Sequence, residues 1–471
     1  MMLRLFLIPL LFCTCLAAAQ NPVIKNLDKN YDKYSKIAFQ IWDWAEVGYQ
    51  EEKSSNLLQK TLQDEGFTIE KGVAGMPTAF VASFGSGKPV IAILAEYDAL
   101  PGISQDAIPT QQTLIEGGAG HACGHHLFGT ASMAAGIEAK NWLQKSKKTG
   151  TIRVYGTPAE EGGAGKVYLV REGLFNDVDA VLHWHPSSAN AANPGVSLAN
   201  KSAKFRFYGQ PSHAAGAPER GRSALDGVES MNYMVNLMRE HVPMETRIHY
   251  IITRGGEAPN VVPGFAEVYY YVRHPEMNKV RELFQRVVKA SEGAALGTET
   301  RVEHEVIHGI YNLLPNETLS KLMYKNLGIV GGFEYSENEK SFAESIMMSY
   351  NGTYSVETAN KVLTYTTESR PRGSTDVGDV SWAVPTAGMG AATWVPGTSA
   401  HSWQAVAAGG TSIGTKGMMV AAKTIALTAI DLFRSPETIK YAKEELIKRR
   451  GDGFVYKSLL GDRNPPLDYR K

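Results

Sequence analysis

Cysteine is scarce in this sequence, with three among 471 residues. Two of them, Cys13 and Cys15, lie in a stretch where Arg4 precedes the apolar run Leu5 to Leu16 and then Ala17-Ala18-Ala19, the small residues a signal peptidase needs beside its scissile bond. Residues 1–19 are therefore expected to be a cleaved secretory signal, placing the protein in the periplasm or outside the cell. Cleavage would leave Cys123 as the one mature thiol and exclude an intrachain disulfide. A lone thiol in an oxidising compartment is open to oxidation unless something occupies it, and a metal ion would do so. Long apolar runs are also missing. Leu5 to Leu16 is too short for a bilayer, which asks for about 20 residues, and Pro9 interrupts it, so no membrane association is expected after cleavage. An excess of one charge is absent as well: Lys+Arg and Asp+Glu are 48 each, so no net field draws nucleic acid or anionic lipid. A small substrate is the expected partner.

Several signatures are incomplete or out of context. Gly410-Thr411-Ser412-Ile413-Gly414 has the Gly-x-Ser-x-Gly pattern but follows a Gly- and Ala-rich stretch rather than the strand a nucleophile elbow needs. His304-Glu305-Val306-Ile307-His308 falls in an expected strand, not on the helix a zincin needs, and Gly118-x-Gly120-x-x-Cys123 lacks the last glycine of a dinucleotide fingerprint. Gly165-Lys166 lacks the upstream Gly and the following Ser or Thr of a phosphate loop. Serine, mononuclear zincin and nucleotide chemistries all lose ground.

What is present is an ordinary globular composition, 43% hydrophobic and 20% charged, on a chain long enough for two domains. Helical spacing recurs from Asn30 to Gln63 with a break near Gly48. Short apolar runs at Thr78 to Phe84, Val90 to Ala95, Thr151 to Thr157 and Ala180 to His183 suit strands of a buried sheet, and Phe128 to Leu143 suits a helix lying on it. That alternation predicts an α/β domain. Residues 201–308 change character, running strand, helix, strand, strand, helix, strand, the order of a small α+β (ferredoxin-like) sandwich inserted in the larger domain. The polar stretch 331–372 suits a surface subdomain or lid, or a variable loop.

Groups able to ligate metal fall near expected strand ends, where open α/β sheets place their sites. Cys123 and His125 sit two apart just before a helix, within Gly120-His121-Ala122-Cys123-Gly124-His125-His126. Glu160 and Glu161 follow the strand Thr151 to Thr157, His183 and His185 flank Trp184, and His401 precedes Ser402-Trp403-Gln404. Each taken alone has a plain structural alternative: a capping histidine, a solvated carboxylate pair, a core cysteine. Their joint appearance favours a metal site.

The runs PTAFVASFGSG, AEYDALPG, GHACGHH, YGTPAEEGG, WHP, SHAA, PNVVP, STDVGDVSW and HSWQ, in this order, closely resemble the metal-dependent peptidase M20 family. Within it they are most similar to the amidohydrolase branch that includes the B-type component of p-aminobenzoyl-glutamate hydrolase. The resemblance implies a zinc-peptidase-like catalytic domain, residues 20–197 and 310–471, with residues 198–309 as a lid and dimerisation domain. It implies two divalent metal ions, Zn²⁺ or Mn²⁺, with ligands Cys123, His125, Glu161, His185 and His401. Glu160 would be the general base in attack by metal-activated water on the amide bond of an N-acyl or N-aroyl amino acid such as p-aminobenzoyl-glutamate. Asp98 would orient a ligand imidazole, its alternative being a turn-forming Asp before Ala-Leu-Pro. His213, often reaching the partner subunit's metals in the family, would stabilise the oxyanion, and Asn260 and Arg273 would hold the substrate carbonyl or carboxylate. A homodimer through the inserted domain follows from the same resemblance, which also raises a different partner subunit. Two other functions fit the scaffold: a dipeptidase or carboxypeptidase on the same centre, and a non-catalytic ligand-binding protein. His126 stands where many members of the wider branch have Asp, and is open between an outer-shell group, a surface group and an alternative ligand. His121 and His183 are open between an outer-shell and a structural role, the structural one being favoured for each.

Overall fold

The computed structural model describes residues 21–471 except 369, 371 and 372. The leader expected at residues 1–19 lies outside the described residues.

Two sheets divide the strands. The larger contains β1 (Thr68–Lys71), β2 (Phe80–Ser86), β3 (Val90–Ala95), β4 (Gly150–Gly156), β5 (Ala180–Ser187) and β10 (Thr386–Ala392), in the order β1-β2-β4-β3-β5-β10. β4, β3, β5 and β10 run parallel, and the edge pair β1 and β2 is antiparallel. β3 is buried at every residue, as a strand covered on both faces must be.

One face carries α1 (Pro22–Lys29), α2 (Tyr31–Trp44), α3 (Glu52–Asp64), α4 (His125–Ser146), α8 (Glu317–Val330) and α12 (Ser412–Arg434). The other carries α5 (Gly165–Arg171) and α10 (Val377–Ala383). α4 is rich in Gly and Ala because it lies close to the sheet: a Cβ on Gly129 would come 2.6 Å from the Glu96 carbonyl oxygen, and one on Gly136 would come 2.4 Å from Val154. α12 is long and apolar enough to cross a membrane, yet 89% of its apolar window is buried inside the protein, as in a core helix.

The smaller sheet holds β6 (Ala199–Tyr208), β7 (Arg247–Arg254), β8 (Phe265–His274) and β9 (Arg301–Ile310), all antiparallel in the order β7-β8-β6-β9. α6 (Ala224–Met238) and α7 (Met277–Gly297) cover its apolar side, which has its own core around Phe205, Phe207, Val268, Tyr270 and Phe284. The fold is thus α/β with an inserted α+β unit. The polar stretch from residue 331 is more regular than its composition suggests. It holds α9 (Glu337–Met348), started by a capping box between Ser336 and Glu339, and Val362 pairs with Asn190 beside β5. The chain closes with α11 (Trp403–Gly409), α13 (Pro436–Arg450) and an irregular segment over 451–471.

Where the chain returns from β9, buried Asp379 of α10 accepts the Tyr311 N–H (2.8 Å) and the Tyr456 hydroxyl (2.6 Å). Burial, aided by the nearby charge of Asp376, pushes this carboxyl up to about 7 against those hydrogen bonds. Its folded value exceeds its unfolded one, so its contribution to stability is complete below the unfolded pKa and is lost as pH rises towards 7. Stability should fall across about pH 4 to 7 by as much as about 4 kcal/mol from this group. Thermal denaturation across that range should show a flatter profile for Asp379→Asn; an identical slope would contradict the assignment.

Candidate metal centre and active site

The C-terminal ends of the parallel strands bring the polar groups together. β3 leads into Glu96-Tyr97-Asp98, β4 into Thr157 to Glu161, β5 ends with His185 near its tip, and β10 leads towards His401. Cys123 and His125 arrive from the loop that starts α4.

Two groups of three possible ligands share one atom. The donor atoms of Cys123, His125 and His185 lie within 4.8 Å of one another, and so do those of Cys123, Glu161 and His401. A third such group, His125, Glu160 and Glu161, places Glu160 beside both. Cys123 Sγ is 3.3 Å from His401 Nε2, which is 3.1 Å from Glu161 Oε1. His401 holds φ +60°, a left-handed conformation rare outside glycine, with its N–H on the Ala122 carbonyl. Such backbone strain is common at functional sites.

The imidazoles are oriented for ligation. His125 Nδ1–H faces the Asp98 carboxylate at 2.9 Å and the Asp98 carbonyl at 3.1 Å, which leaves the Nε2 lone pair free. His185 Nδ1–H donates to the Pro186 carbonyl at 2.7 Å, leaving its Nε2 free as well. Asp98 Oδ2 also accepts the Glu161 N–H at 2.9 Å, so one carboxylate fixes two of the groups. Burial pushes the Asp98 carboxyl up, but His125, the Glu161 N–H and Lys166 outweigh it and hold it below its ordinary value.

Glu160 is set apart from its neighbour. Desolvation, then the charges of Glu161, Glu96 and Asp376, push its carboxyl well above the ordinary range, the direction a proton-accepting group needs at neutral pH. Burial and the Glu161 charge likewise push the Cys123 thiol up, so a thiolate here requires an adjacent cation. The carboxyl groups of Glu96, Asp98, Glu160, Glu161 and Asp376 gather around one buried ammonium, Lys166, and despite burial the charges of Asp98 and Glu96 push the His125 imidazole well up. His125 Nε2 and Glu96 Oε2 approach to 3.1 Å, yet both are buried without a hydrogen bond. Excess negative charge, free imidazole lone pairs and a thiol fit divalent metal ions.

Sequence patterns gave no sign of the support behind this cluster. Lys166 is fully buried, its Nζ 2.7 Å from both Glu96 Oε1 and Asp376 Oδ1, while its own N–H donates to Asp376 Oδ2 at 2.9 Å. Buried Glu51 accepts the Ala159 N–H at 2.8 Å, just before the Glu160–Gly163 turn. The contacts to Asp376 and Glu51 join residues 210 and 108 positions apart in sequence, and no short motif encodes them.

The other histidines separate cleanly. His126 Nε2–H donates to the Gly409 carbonyl at 3.0 Å and His121 Nε2–H to that of Ile41 at 3.0 Å, their rings 4.8 Å apart. Burial pushes both below the ordinary histidine range, so both are neutral. His126 therefore ties the start of α4 to the end of α11. His126→Leu should leave the Gly409 carbonyl unpaired and cost about 1–3 kcal/mol. Thermal denaturation with elemental analysis should show lower stability and unchanged metal stoichiometry; a lost ion would make His126 a ligand. His183 lies over Gly388 of β10, where a Cβ would meet its Nε2 at 2.3 Å, and burial pushes its pKa to about 3.

His213, Asn260 and Arg273 lie on the inserted unit and join none of the three ligand groups. His213 is exposed, and its Nδ1 accepts the N–H groups of Ala215 (3.2 Å) and Gly216 (3.0 Å), so its Nε2 carries the proton outward. The backbone of His213 pairs with that of Val261, and Ala214 N–H donates to the Asn260 carbonyl at 3.0 Å. Arg273 of β8 lies over the Tyr271 ring and pairs in register with Arg247 of β7; its Nε is buried without a partner.

Residues 92–408 match peptidase family M20/M25/M40. The chain is 43% identical to the B-type component of p-aminobenzoyl-glutamate hydrolase of Escherichia coli, over 89% of this chain and 93% of that one. It is 30% identical to the Xaa-Arg dipeptidase of Mus musculus, over 89% of this chain and 90% of the other. Among solved structures, it matches an aminobenzoyl-glutamate utilization protein from Klebsiella pneumoniae with TM-score 0.63 at 18% identity, covering 87% of this chain and 98% of that chain. A dinuclear metal-binding M20 peptidase from Bacillus subtilis matches with TM-score 0.59 at 16% identity, covering 87% and 99%. The expectation of a periplasmic or secreted protein does not stand. The leader it rested on lies outside the described residues, and no signal peptide is shown there. Shared sequence over most of its length and a shared fold place the chain in peptidase family M20/M25/M40, as a metal-dependent amidohydrolase.

Proposed function

We propose that the protein hydrolyses the amide bond of an N-acyl or N-aroyl amino acid with a free carboxylate, p-aminobenzoyl-glutamate being the reference substrate. The observation that carries this reading is the pair of donor triplets sharing Cys123, with the free carboxylate of Glu160 beside them. Cys123, His125 and His185 would hold one divalent ion, and Cys123, Glu161 and His401 the other. When bound, the two ions would supply Lewis acidity to the attacking water and the amide oxygen. Thiolate and imidazole favour Zn²⁺, and the carboxylates also suit Mn²⁺.

Glu160 takes a proton from the attacking water and returns it to the leaving amine nitrogen. Asp98 keeps His125 in the tautomer that presents Nε2. His213, with its proton on Nε2, donates to the developing oxyanion. Asn260 and Arg273 bind the substrate carbonyl and carboxylate. Arg273 pairs in register with Arg247, whose Nη1 is held by the Met244 and Thr246 carbonyls, so Arg273, with its Nε unpartnered, is the guanidinium suited to the carboxylate of an aroyl-glutamate.

Residues 20–197 and 310–471 act as the catalytic domain and 198–309 as the lid, through which two copies associate. The Escherichia coli relative is one component of its hydrolase, which also supports a different partner chain. Purified protein loaded with Zn²⁺ or Mn²⁺ should release amine from aroyl-glutamates faster than from simple N-acyl amino acids or dipeptides. Preference for dipeptides would reassign the substrate class, and release from none of them would favour a binding protein.

A further inference from the structure

The segment after α13 touches both parts of the fold. Arg463 Nη1 donates to the Ile307 carbonyl on β9 at 2.7 Å, and Arg171 of α5 donates back to the Arg463 carbonyl at 2.7 Å. Gln50 Nε2 donates to the Leu467 carbonyl at 2.8 Å. Beyond these anchors the Tyr469 hydroxyl and Arg470 Nη2 both donate to the backbone carbonyl of Glu161, each at 2.9 Å.

That carbonyl belongs to an irregular turn. Ala159 and Ala164 flank Glu160–Gly163 at φ +57° each, Glu161 has φ −72° and ψ 69°, and Gly162 has φ +92°. Left-handed alanines are unfavourable and persist only where the surroundings hold them. Tyr49 holds one end, its hydroxyl on the Gly163 carbonyl at 2.8 Å and its ring edge-on to Tyr469 with centroids 5.7 Å apart. Tyr469 is seated closely: a Cβ on Gly48 would come 2.2 Å from its hydroxyl oxygen. The Arg470 guanidinium lies over the Tyr469 ring at 4.9 Å, which orders both donors together. A carbonyl with two donors, one of them cationic, is held more firmly than by a single neutral bond.

We propose that Tyr469 and Arg470 are positioning residues for hydrolysis: through the Glu161 carbonyl they fix the turn so that the Glu161 carboxylate meets the metal position while Glu160 stays free for the proton. This rests on the roles given to Glu160 and Glu161 above. The test uses the metal-loaded full chain with Tyr469→Phe, Arg470→Gln and the double substitution, which preserve most packing and remove the donors. Turnover, KM, metal retention against a chelator and thermal midpoint are measured for each.

The double variant should lose at least about tenfold in kcat and at least about tenfold in metal affinity, with KM within about twofold, as expected when support behind a ligand is removed. Arg470→Lys should recover part of both. Unchanged kcat and metal affinity in a folded double variant would overturn the proposal, as would a rise in KM alone or a lower thermal midpoint alone. Should the double variant not fold, the single variants meet the same criterion. Glu161→Gln with undiminished metal content, or Glu160→Gln with normal turnover, would instead overturn the roles on which the proposal rests.

Discussion

Glu160→Gln is expected to bind its full complement of metal and to turn over about two to four orders of magnitude more slowly than the wild type, the usual cost of losing a general base. The expectation follows from the environments of two adjacent carboxylates. Glu161 meets His401 Nε2 at 3.1 Å and its N–H is held by Asp98, and its carboxyl lies below its ordinary value, where burial is outweighed by His401 and His125. Glu160 has its carboxyl pushed up by burial and the surrounding negative charge. One carboxylate is suited to a cation and the other to a proton. Elemental analysis beside steady-state kinetics checks the division. Metal lost in step with activity would make Glu160 a ligand, and normal turnover would remove it from the chemistry.

Cys123→Ala should have the largest effect on metal content, because Cys123 alone belongs to both the triplet with His125 and His185 and the triplet with Glu161 and His401. Removing groups behind a ligand already costs about 10–100-fold in affinity, so removing the shared ligand should cost more at both positions. Dialysed Cys123→Ala is expected to retain neither ion, whereas His401→Ala should lose one and keep the other. Equal losses in the two variants would mean that the triplets do not define separate positions.

Much of this arrangement is legible in the sequence where local pattern decides. Continuous apolarity marks Val90–Ala95 as a covered strand, and its bounds are those of β3. The helix expected from Phe128 begins three residues earlier, at His125, because the left-handed Gly124 sets its start and the imidazole ends up inside the first turn. The pairs Cys123 with His125 and His183 with His185 stand out by spacing, but spacing does not distinguish His185, with Nε2 free, from His183, packed over Gly388. That distinction depends on β10, a Gly- and Ala-rich strand whose composition does not announce it.

Long-range support is less legible still. Lys166 looks like a failed phosphate loop in sequence, yet it is the buried ammonium between Glu96 and Asp376. Both acids lie in runs that carry the family resemblance, AEYDALPG and STDVGDVSW, but nothing in either run pairs it with Lys166, and Asp376 lies 210 residues from that lysine. Likewise, His126 can be placed only once its bond to Gly409 is known, 283 residues along the chain. Metal-binding residue types announce themselves by chemistry. The groups that hold them in place are ordinary residues made important by topology.

The most direct test of a shared-cysteine dinuclear centre is anomalous diffraction at the absorption edge of the bound metal, from crystals of the metal-loaded protein. The account predicts two peaks flanking Cys123 Sγ, one also within bonding distance of His125 and His185, the other of Glu161 and His401. A single peak, or a pair that leaves Cys123 unligated, would contradict it.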